Sequence, residues 1–463
     1  MEVFDLAVIG AGPGGYPAAI RAAQLGAKVA IVEKEQVGGT CLNWGCIPTK
    51  ALIAAAETYA HIREAGAFGI SVQGASVDYA AMAAHKARVV AQLQGGVKQL
   101  LAGNGVKSFS GTASFKDRTT IAVGDTVIGA KKTIIATGST SAVPGFLPKH
   151  PRVVESRGFL DLTELPGSMI VLGGGYIGCE LASMAAMLGV QVTIVELLDD
   201  ILQLLDADVR REVRSHMEKK LGIRILTGVA LEEVKADSAG VRGRAGGEAI
   251  EAELLLCSIG RKPVTEGLNL EAAGLAVNDK GFIEADAYCR TKVANIFAIG
   301  DVTGKIQLAH FATSQAVTAA ENAIGTKPRQ HETLVPAVIF TAPEVGAVGL
   351  GEDEAKKAGR AVKTGKFRFA ALGKAMAARE TTGFVKWIAD AESDLLIGAV
   401  AVGAHATELV ATAAAAIRSE QTAREFGRLI VAHPTFSEAW MEAAHALHGE
   451  CIHAPPQKKR AST

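Results

Sequence analysis

Two cysteines, Cys41 and Cys46, lie five positions apart in the run GGTCLNWGCIPTK, from Gly38 to Lys50, in a chain with only 6 cysteines. A close thiol pair of this kind has three chemical readings: a redox disulfide, half of a metal site, or two buried free thiols. No second ligand pair accompanies it, so no metal site is expected. In a regular helix, positions i and i+5 lie about 140° apart and about 7.5 Å along the axis, which puts their Cα atoms about 8–9 Å apart. A disulfide needs them within about 7 Å. Joining these sulfurs therefore demands a distorted segment, which Gly45 and Pro48 would help to supply. Lys50 follows Cys46 by four residues, about one helical turn, and can share its side of a helix.

Thiol chemistry also needs a base, and imidazole suits that task near neutral pH when a carboxylate orients it. His433 and Glu438, in the run AHPTFSEA, have the residue types and spacing for this. Thr435-x-x-Glu438 equally reads as a capping box before the helical run AWMEAAHALH, so a structural role for Glu438 stays open. The later histidines His445, His448 and His453 read as structural.

The elements that must position these groups are visible in an internal repeat. DLAVIGAGPGG contains Gly10-x-Gly12-x-x-Gly15 and leads through a helix to VAIVE, ending at Glu33; MIVLGGGYIG contains Gly173-x-Gly175-x-x-Gly178 and leads to VTIVE, ending at Glu196. In both copies the acid lies 18 residues after the third glycine, from Gly15 to Glu33 and from Gly178 to Glu196. An apolar strand before, a helix after and an acid-tipped strand beyond are the context that a dinucleotide fingerprint requires. The first glycine permits the tight turn, the second lets backbone approach a pyrophosphate, and the third brings helix and strand together. The helix N-terminus then faces the phosphates, and the acid can accept ribose hydroxyls. Two copies imply two dinucleotides. A carboxylate at Glu196 repels a 2′-phosphate, and Leu197, Leu198, Asp199 and Asp200 include no arginine to accept one, which favours NAD over NADP. Tyr176, inside the second fingerprint, reads equally as a lid over the nicotinamide pocket and as a packing residue.

A helix is expected from about Tyr79 to Leu101, and KKTIIATGS (Lys131 to Ser139) as a buried strand ending in a glycine turn. Strand-like runs and Ala-rich helices after about His331 predict a C-terminal α+β domain. The tail APPQKKRAST reads as mobile and basic. Lys+Arg and Asp+Glu both total 48, so bulk charge points to neither nucleic acid nor an anionic membrane. The absence of a signal-like start and of a long apolar run makes the cytoplasm the expected location, with the mature form of an organelle protein as the alternative.

GGTCLNWGCIPTK, IIATGS, GGGYIGCE, IFAIGD, VIFTAPEVGAVG and AHPTFSEA occur in the order typical of the pyridine nucleotide-disulfide oxidoreductases, and the chain resembles that family, especially its members that oxidise dihydrolipoamide, over nearly its whole length. The resemblance implies an α/β protein with two Rossmann-like dinucleotide-binding domains and a C-terminal α+β dimerisation domain. The expected boundaries are 1–146 for the FAD domain, 147–264 for the NAD domain, 265–331 for a central domain completing the FAD site, and 332–463 for the interface domain. Cys41 would exchange with substrate and Cys46 would lie next to the flavin. Lys50 would sit near the flavin paired with Glu180, for which a first-turn helix acid is the plain alternative. Glu33 would hold the FAD ribose and Glu196 the NAD ribose. Gly300 and Asp301 would receive the ribityl chain, and the helix starting near Leu308-Ala309-His310 would point at the flavin. Gly138 and Gly260 complete the expected cofactor contacts. His433 and Glu438 would act on the partner subunit's disulfide, so the protein would be a homodimer with a shared site. Its partner would be a lipoyl domain or lipoylated acyltransferase (E2) of a 2-oxo acid dehydrogenase complex, or a glycine-cleavage lipoyl carrier. Glutathione-type reductases and a mainly docking flavoprotein are the competing readings.

Overall fold

Strand β1 (Glu2–Ile9) buries Leu6, Ala7, Val8 and Ile9 in succession, the pattern of a strand covered on both faces. Helix α1 (Gly15–Gln24) turns Gly15, Ala18, Ala19 and Ala22 inward at helical spacing, and β2 (Val29–Glu33) buries its first four residues. The segment that follows is helical: α2 (Gly39–Trp44), α3 (Cys46–Glu64) and α4 (Tyr79–Gly103), the last capped by Asp78 accepting the Ala81 N–H. Then come β3 (Lys107–Ser110), β4 (Ala113–Phe115), β5 (Thr120–Val123) and β6 (Thr126–Ile135).

The computed structural model describes residues 1–455, and the chain divides into two units, Met1–Leu165 with Leu256–Thr333 and Pro166–Leu255 with Leu334–Thr463. Each carries one fingerprint. In the first, the sheet runs β3-β2-β1-β6-β5-β4, and the strand Ile296–Ala298 also pairs with β6. The β3-β2-β1-β6 portion and Ile296–Ala298 are parallel, whereas β5 and β4 form an antiparallel meander. The first strands wind outward from β1 on one side and the later ones on the other. The carboxyl ends of β1 and β6 thus flank a topological switch point, where α/β sheets hold ligands.

In the second unit the strands Ser168–Leu172, Gln191–Glu196 and Arg224–Thr227 are parallel, and the helix Tyr176–Met187 joins the first two. A three-stranded antiparallel sheet spans Leu231–Ala252, and a five-stranded antiparallel sheet spans Ala337–Gly403. The helices Ala406–Arg418 and Glu438–Leu447 cover that last sheet, as the α+β reading expected. Its core centres on Trp387 and Trp440, whose rings lie 4.6 Å apart; both indole N–H groups donate to backbone carbonyls, as buried tryptophans require. The same sheet buries Lys386, whose ammonium meets Asp206, Asp208 and Glu352 at 2.8, 2.9 and 3.1 Å. All but the first two residues of the expected basic tail lie outside the described residues. Among the described residues no helix is long and apolar enough to cross a membrane.

Candidate active site

Cys41 and Cys46 are joined in a disulfide with Cα atoms 4.7 Å apart, and both are half-buried. The helical path is broken between them: α2 ends at Trp44, Gly45 takes φ −142° and ψ −110°, and α3 begins at Cys46. A Cβ on Gly45 would lie 3.0 Å from the Thr40 carbonyl oxygen and 3.3 Å from Cys41 Cα, so bare backbone lets the chain fold back on itself. Pro48 has no part in the break. It is the third residue of α3, in the first turn, where a helix has no N–H partner to lose. Lys50 lies one turn beyond Cys46 in the same helix and is half-buried.

Two supports of this loop were not legible in the sequence. Buried Asn43 donates from Nδ2 to the carbonyls of Gly39 and Val37 at 2.9 and 3.0 Å, and its Oδ1 accepts from Gln94 of α4. The Trp44 ring carries the Arg157 guanidinium 3.8 Å from its centroid, and Arg157 in turn pairs with Glu35 at 3.0 Å. Asn43 and Trp44 stand within the cysteine motif, but partners this remote leave no local signal.

The first fingerprint sits directly against this loop. Gly10 has φ +97°, and a Cβ there would come within 2.4 Å of the Ala136 carbonyl oxygen. A Cβ on Gly15 would lie 1.8 Å from the Gly10 oxygen, and one on Gly39 would lie 2.5 Å from Gly12 Cα. Glu33 accepts the Ala11 N–H at 2.7 Å on one oxygen and the Glu35 N–H at 2.9 Å on the other. Gly138 accepts the Val264 N–H and Gly260 accepts the Ala142 N–H, so the two segments run side by side. The Gly300 N–H donates to buried Gln315 at 2.8 Å, on the helix Ala309–Ile324. Thr313 of that helix donates to the Pro13 carbonyl at 2.9 Å, which ties its first turns to the fingerprint loop. The Asp301 carboxylate is bound by the Ser139 hydroxyl and lies 3.8 Å from Arg261, both contacts falling on Oδ2.

The expected cofactor contacts of this unit are thus gathered at the carboxyl ends of parallel strands. Neither α1 nor the helix Ala309–Ile324 has a side chain capping its N-terminus, and the glycine backbone beside α1 is bare. That arrangement fits a dinucleotide: backbone N–H groups for a pyrophosphate, and a carboxylate with lone pairs left for ribose hydroxyls.

The second fingerprint repeats the geometry. Gly173 has φ +105° and donates to the Val195 carbonyl, while Glu196 accepts the Gly174 N–H at 2.6 Å and the Leu198 N–H at 2.8 Å. Gly175 precedes an uncapped helix, and a Cβ there would meet nothing within 4 Å. Tyr176 opens that helix and is exposed. Gly178 is buried in its first turn. Glu180 falls beyond the first turn, which removes the alternative that it is a first-turn helix acid. It is buried and accepts the Phe340 N–H at 2.8 Å. Asp200, four residues after Glu196, engages Arg210 and Arg214 of the helix Ala207–Lys219 at 3.4 and 3.1 Å.

His433 Nδ1 lies 2.8 Å from Glu438 Oε1, with the imidazole largely exposed. The capping-box reading fails, because Glu438 is the first residue of the helix Glu438–Leu447 and Ser437 is its N-cap; its other oxygen accepts the Thr435 N–H at 2.8 Å. The Thr435 hydroxyl does not complete a capping box; it donates to the Ala432 carbonyl. Burial works against the Glu438 charge, but the His433 and Thr435 hydrogen bonds outweigh it and hold the carboxyl below the ordinary range. The other described cysteines are poor nucleophiles by contrast. Burial pushes the Cys289 thiol up to about 12 and the Cys451 thiol up to about 11, the latter with help from Glu442.

The model for the pyridine nucleotide-disulphide oxidoreductases matches residues 4–316, and that family's dimerisation domain matches residues 335–444. The chain belongs to the pyridine nucleotide-disulphide oxidoreductase family, whose cofactors are FAD and NAD, and it carries the domain through which members form homodimers. Among its relatives, the dihydrolipoyl dehydrogenase of Chlamydia muridarum is 43% identical, covering 99% of this chain and 100% of that protein. The dihydrolipoyl dehydrogenase of Thermus scotoductus is 44% identical, covering 98% of this chain and 99% of that protein. Among solved structures, LpdA from Mycobacterium tuberculosis superposes with a TM-score of 0.89 at 27% identity, covering 96% of this chain and all of that one. The HOCl-induced flavoprotein disulfide reductase RclA from Escherichia coli gives 0.87 at 28%, covering 96% and 99%.

Proposed function

We propose that this protein oxidises protein-bound dihydrolipoamide to lipoamide, with NAD as the final electron acceptor. The observation that carries the reading is the Cys41–Cys46 disulfide, closed across a helix break that lies against a dinucleotide fingerprint. Full-length relatives named dihydrolipoyl dehydrogenase support the choice of substrate.

In this reading His433 of the partner subunit, oriented by Glu438, takes the proton of one substrate thiol. The thiolate attacks Cys41 Sγ, the Cys41–Cys46 bond breaks, and Cys46 leaves as a thiolate. The second substrate thiol, once deprotonated, attacks the substrate sulfur bound to Cys41. Cyclic lipoamide is released and the enzyme is left as a dithiol, reduced by two electrons. Bound FAD supplies the two-electron link from this dithiol to NAD. Lys50 and Glu180 serve the flavin side, Glu33 with Gly10, Gly12 and Gly15 hold FAD, and Glu196 with Gly173, Gly175 and Gly178 hold NAD. Gly138, Gly260, Gly300, Asp301 and Ala309 complete the FAD contacts. The protein partner is a lipoylated acyltransferase (E2) or glycine-cleavage carrier, and the location is the cytoplasm.

Steady-state turnover with NAD and NADP, against dihydrolipoamide and reduced glutathione, tests the proposal. NAD-linked oxidation of dihydrolipoamide is expected; a preference for NADP and glutathione would point to a glutathione-type reductase. Absence of any thiol-linked turnover in yellow, flavin-replete protein would point to a docking role.

A further inference from the structure

The Cys41–Cys46 ring carries a strap that no step of the proposed reaction uses. Trp44 closes α2, three residues after Cys41 and two before Cys46, so its side chain leaves the backbone from inside the disulfide ring. The Arg157 guanidinium stands over that indole, 3.8 Å from its centroid, and meets the Glu35 carboxylate at 3.0 Å. Both outer ends of the strap are anchored. Glu35 follows β2 and gives its own N–H to Glu33 at 2.9 Å, beside the first fingerprint. Arg157 belongs to the short helix Ser156–Leu160, whose capping Glu155 accepts the N–H groups of Arg157 and Gly158 at 2.8 and 3.1 Å and the Ser141 hydroxyl at 2.8 Å. Phe159 and Leu160 of that helix are buried, and Lys86 of α4 donates to the Leu160 carbonyl. The guanidinium thus comes from a fixed support, and the indole from the loop that carries the sulfurs.

This loop loses its covalent tie in every turnover. In the oxidised protein the sulfur–sulfur bond joins α2 to the start of α3. Once the pair has taken up two electrons and two protons that bond is gone, and noncovalent contacts hold Cys41 near Cys46. Gly45 between the two helices has no side chain to stiffen the break, so the neighbouring side chains must do it. Asn43 is held by Gln94, and Trp44 by Arg157. Resting on the reading of Cys41 and Cys46 as the redox pair, we infer that Arg157 is a positioning residue for that pair: by clasping Trp44 it keeps the loop in its closed form and so favours disulfide over dithiol.

The physical link is effective concentration. Two thiols held in place re-form a disulfide more readily than two thiols on a slack loop. A stack made with the loop closed and loosened when it opens stabilises the oxidised side alone, so removing it shifts the equilibrium toward dithiol. Arg157 and Glu35 are 47% and 39% exposed, so the ion pair by itself contributes little and the stack over the indole carries most of the effect. For a half-exposed cation over an indole the shift is about threefold, which is about 14 mV at about 30 mV per tenfold for a two-electron couple.

The test equilibrates flavin-replete dimer, without oxygen, against mixtures of free dihydrolipoamide and lipoamide. Each dihydrolipoamide oxidised to its cyclic disulfide delivers two electrons and two protons to the protein. Acid quench, alkylation and mass measurement of the peptide carrying Cys41 and Cys46 then give the ratio of dithiol to disulfide. In Arg157→Met that ratio is expected to stand about threefold above the native value in the same mixture. Arg157→Lys, which keeps a cation for the indole, should lie nearer the native value. Glu35→Gln reads the strap from its far end and should move the ratio upward by less. Trp44→Leu should also raise the ratio, and in that background Arg157→Met should add nothing. A side chain that only stabilised the fold would lower the unfolding temperature of oxidised and reduced protein alike; a ratio unmoved in Arg157→Met and Glu35→Gln overturns the inference. A native pair that takes up no electrons from dihydrolipoamide would instead overturn the reading of Cys41 and Cys46 as the redox centre.

Discussion

In the first unit Glu33 accepts the N–H of Ala11 at 2.7 Å; in the second, Glu196 accepts the N–H of Gly174 at 2.6 Å, in both cases the residue after the first glycine. The second oxygen of each acid takes the N–H two residues further on, at 2.9 and 2.8 Å. The two loops are built to the same hydrogen-bond plan, and what differs is the chain that follows. After β2 the first unit runs into Gly38–Lys50, with its bare glycine against Gly12 and its broken helix carrying a disulfide. After Glu196 the second unit runs into Asp200, which occupies Arg210 and Arg214. The shared plan suits a dinucleotide, and what sets the units apart lies in the sequels, a disulfide in one and an acid holding two arginines in the other. A fingerprint thus identifies a class of ligand, and its surroundings decide what is done with it.

The strongest way to break this comparison is to remove what only the first unit has. Cys46→Ser should lower NAD-linked oxidation of dihydrolipoamide by more than about a thousandfold, as loss of an essential reacting group does. Rapid anaerobic mixing measures it, and turnover at the native rate would overturn the assignment of the disulfide.

A second pair of changes probes the likeness itself. Gly15→Ala places a methyl group 1.8 Å from the Gly10 oxygen and should cost more than about 4 kcal/mol, giving flavin-free or unfolded protein. Gly175→Ala enters open space and should change stability by less than about 0.5 kcal/mol. Its effect should appear in the Kd for NAD, because backbone approach is lost. Thermal unfolding and flavin absorbance separate the two outcomes.

Both units tie a helix to carboxylates, α1 through a half-exposed Arg21–Glu321 pair at 2.7 Å and the second unit through a cluster around the buried Lys386. The helix Ala207–Lys219 of the second unit is tied through Asp206 and Asp208 to Lys386, and Glu352 joins the cluster. Burial opposes these three carboxylates, yet Lys386 and neighbouring hydrogen bonds hold all three below the ordinary range. Groups lowered on folding contribute stability above their unfolded pKa and lose it as pH falls through their folded values. Hydrogen exchange should therefore rise in Ala207–Lys219 before it rises in α1 as pH drops below about 4. Lys386→Met, which leaves three carboxylates without their cation, should bring that opening to neutral pH at a cost of about 3 kcal/mol or more. Equal protection of both helices at low pH would remove the distinction.

The smallest expected effect concerns the cofactor. Glu196→Ser should weaken NAD about tenfold, the scale of one charge-assisted hydrogen bond. Adding Asp200→Asn, which removes the carboxylate that Arg210 and Arg214 share while leaving Arg214 its Glu218 partner, should move the NADP-to-NAD ratio of kcat/KM upward. A ratio unmoved in the double variant would show that Asp200 is not what withholds these arginines.

The sequence by itself determined whatever depends on neighbours along the chain. Glycines at positions 10, 12 and 15 and their second copy require a strand–turn–helix, because only there are a positive φ and backbone contact needed together. Cys41 and Cys46 five apart require a helix break, and His433 and Glu438 five apart can meet without help from elsewhere. Even locally two residues that could serve one purpose divided: Gly45 makes the break, while Pro48 merely sits in the first turn of α3. Tertiary structure decided the rest, since the partners come from distant chain. Asn43 is held by Gln94, Asp301 by Ser139 and Arg261, Gly300 by Gln315, and Glu180 by the backbone of Phe340. No spacing rule reaches these pairs, because each joins elements that only the fold brings together. The same holds for His453, which reads as structural in the sequence and meets the buried Glu442 only when the C-terminal segment folds back against the helix Glu438–Leu447.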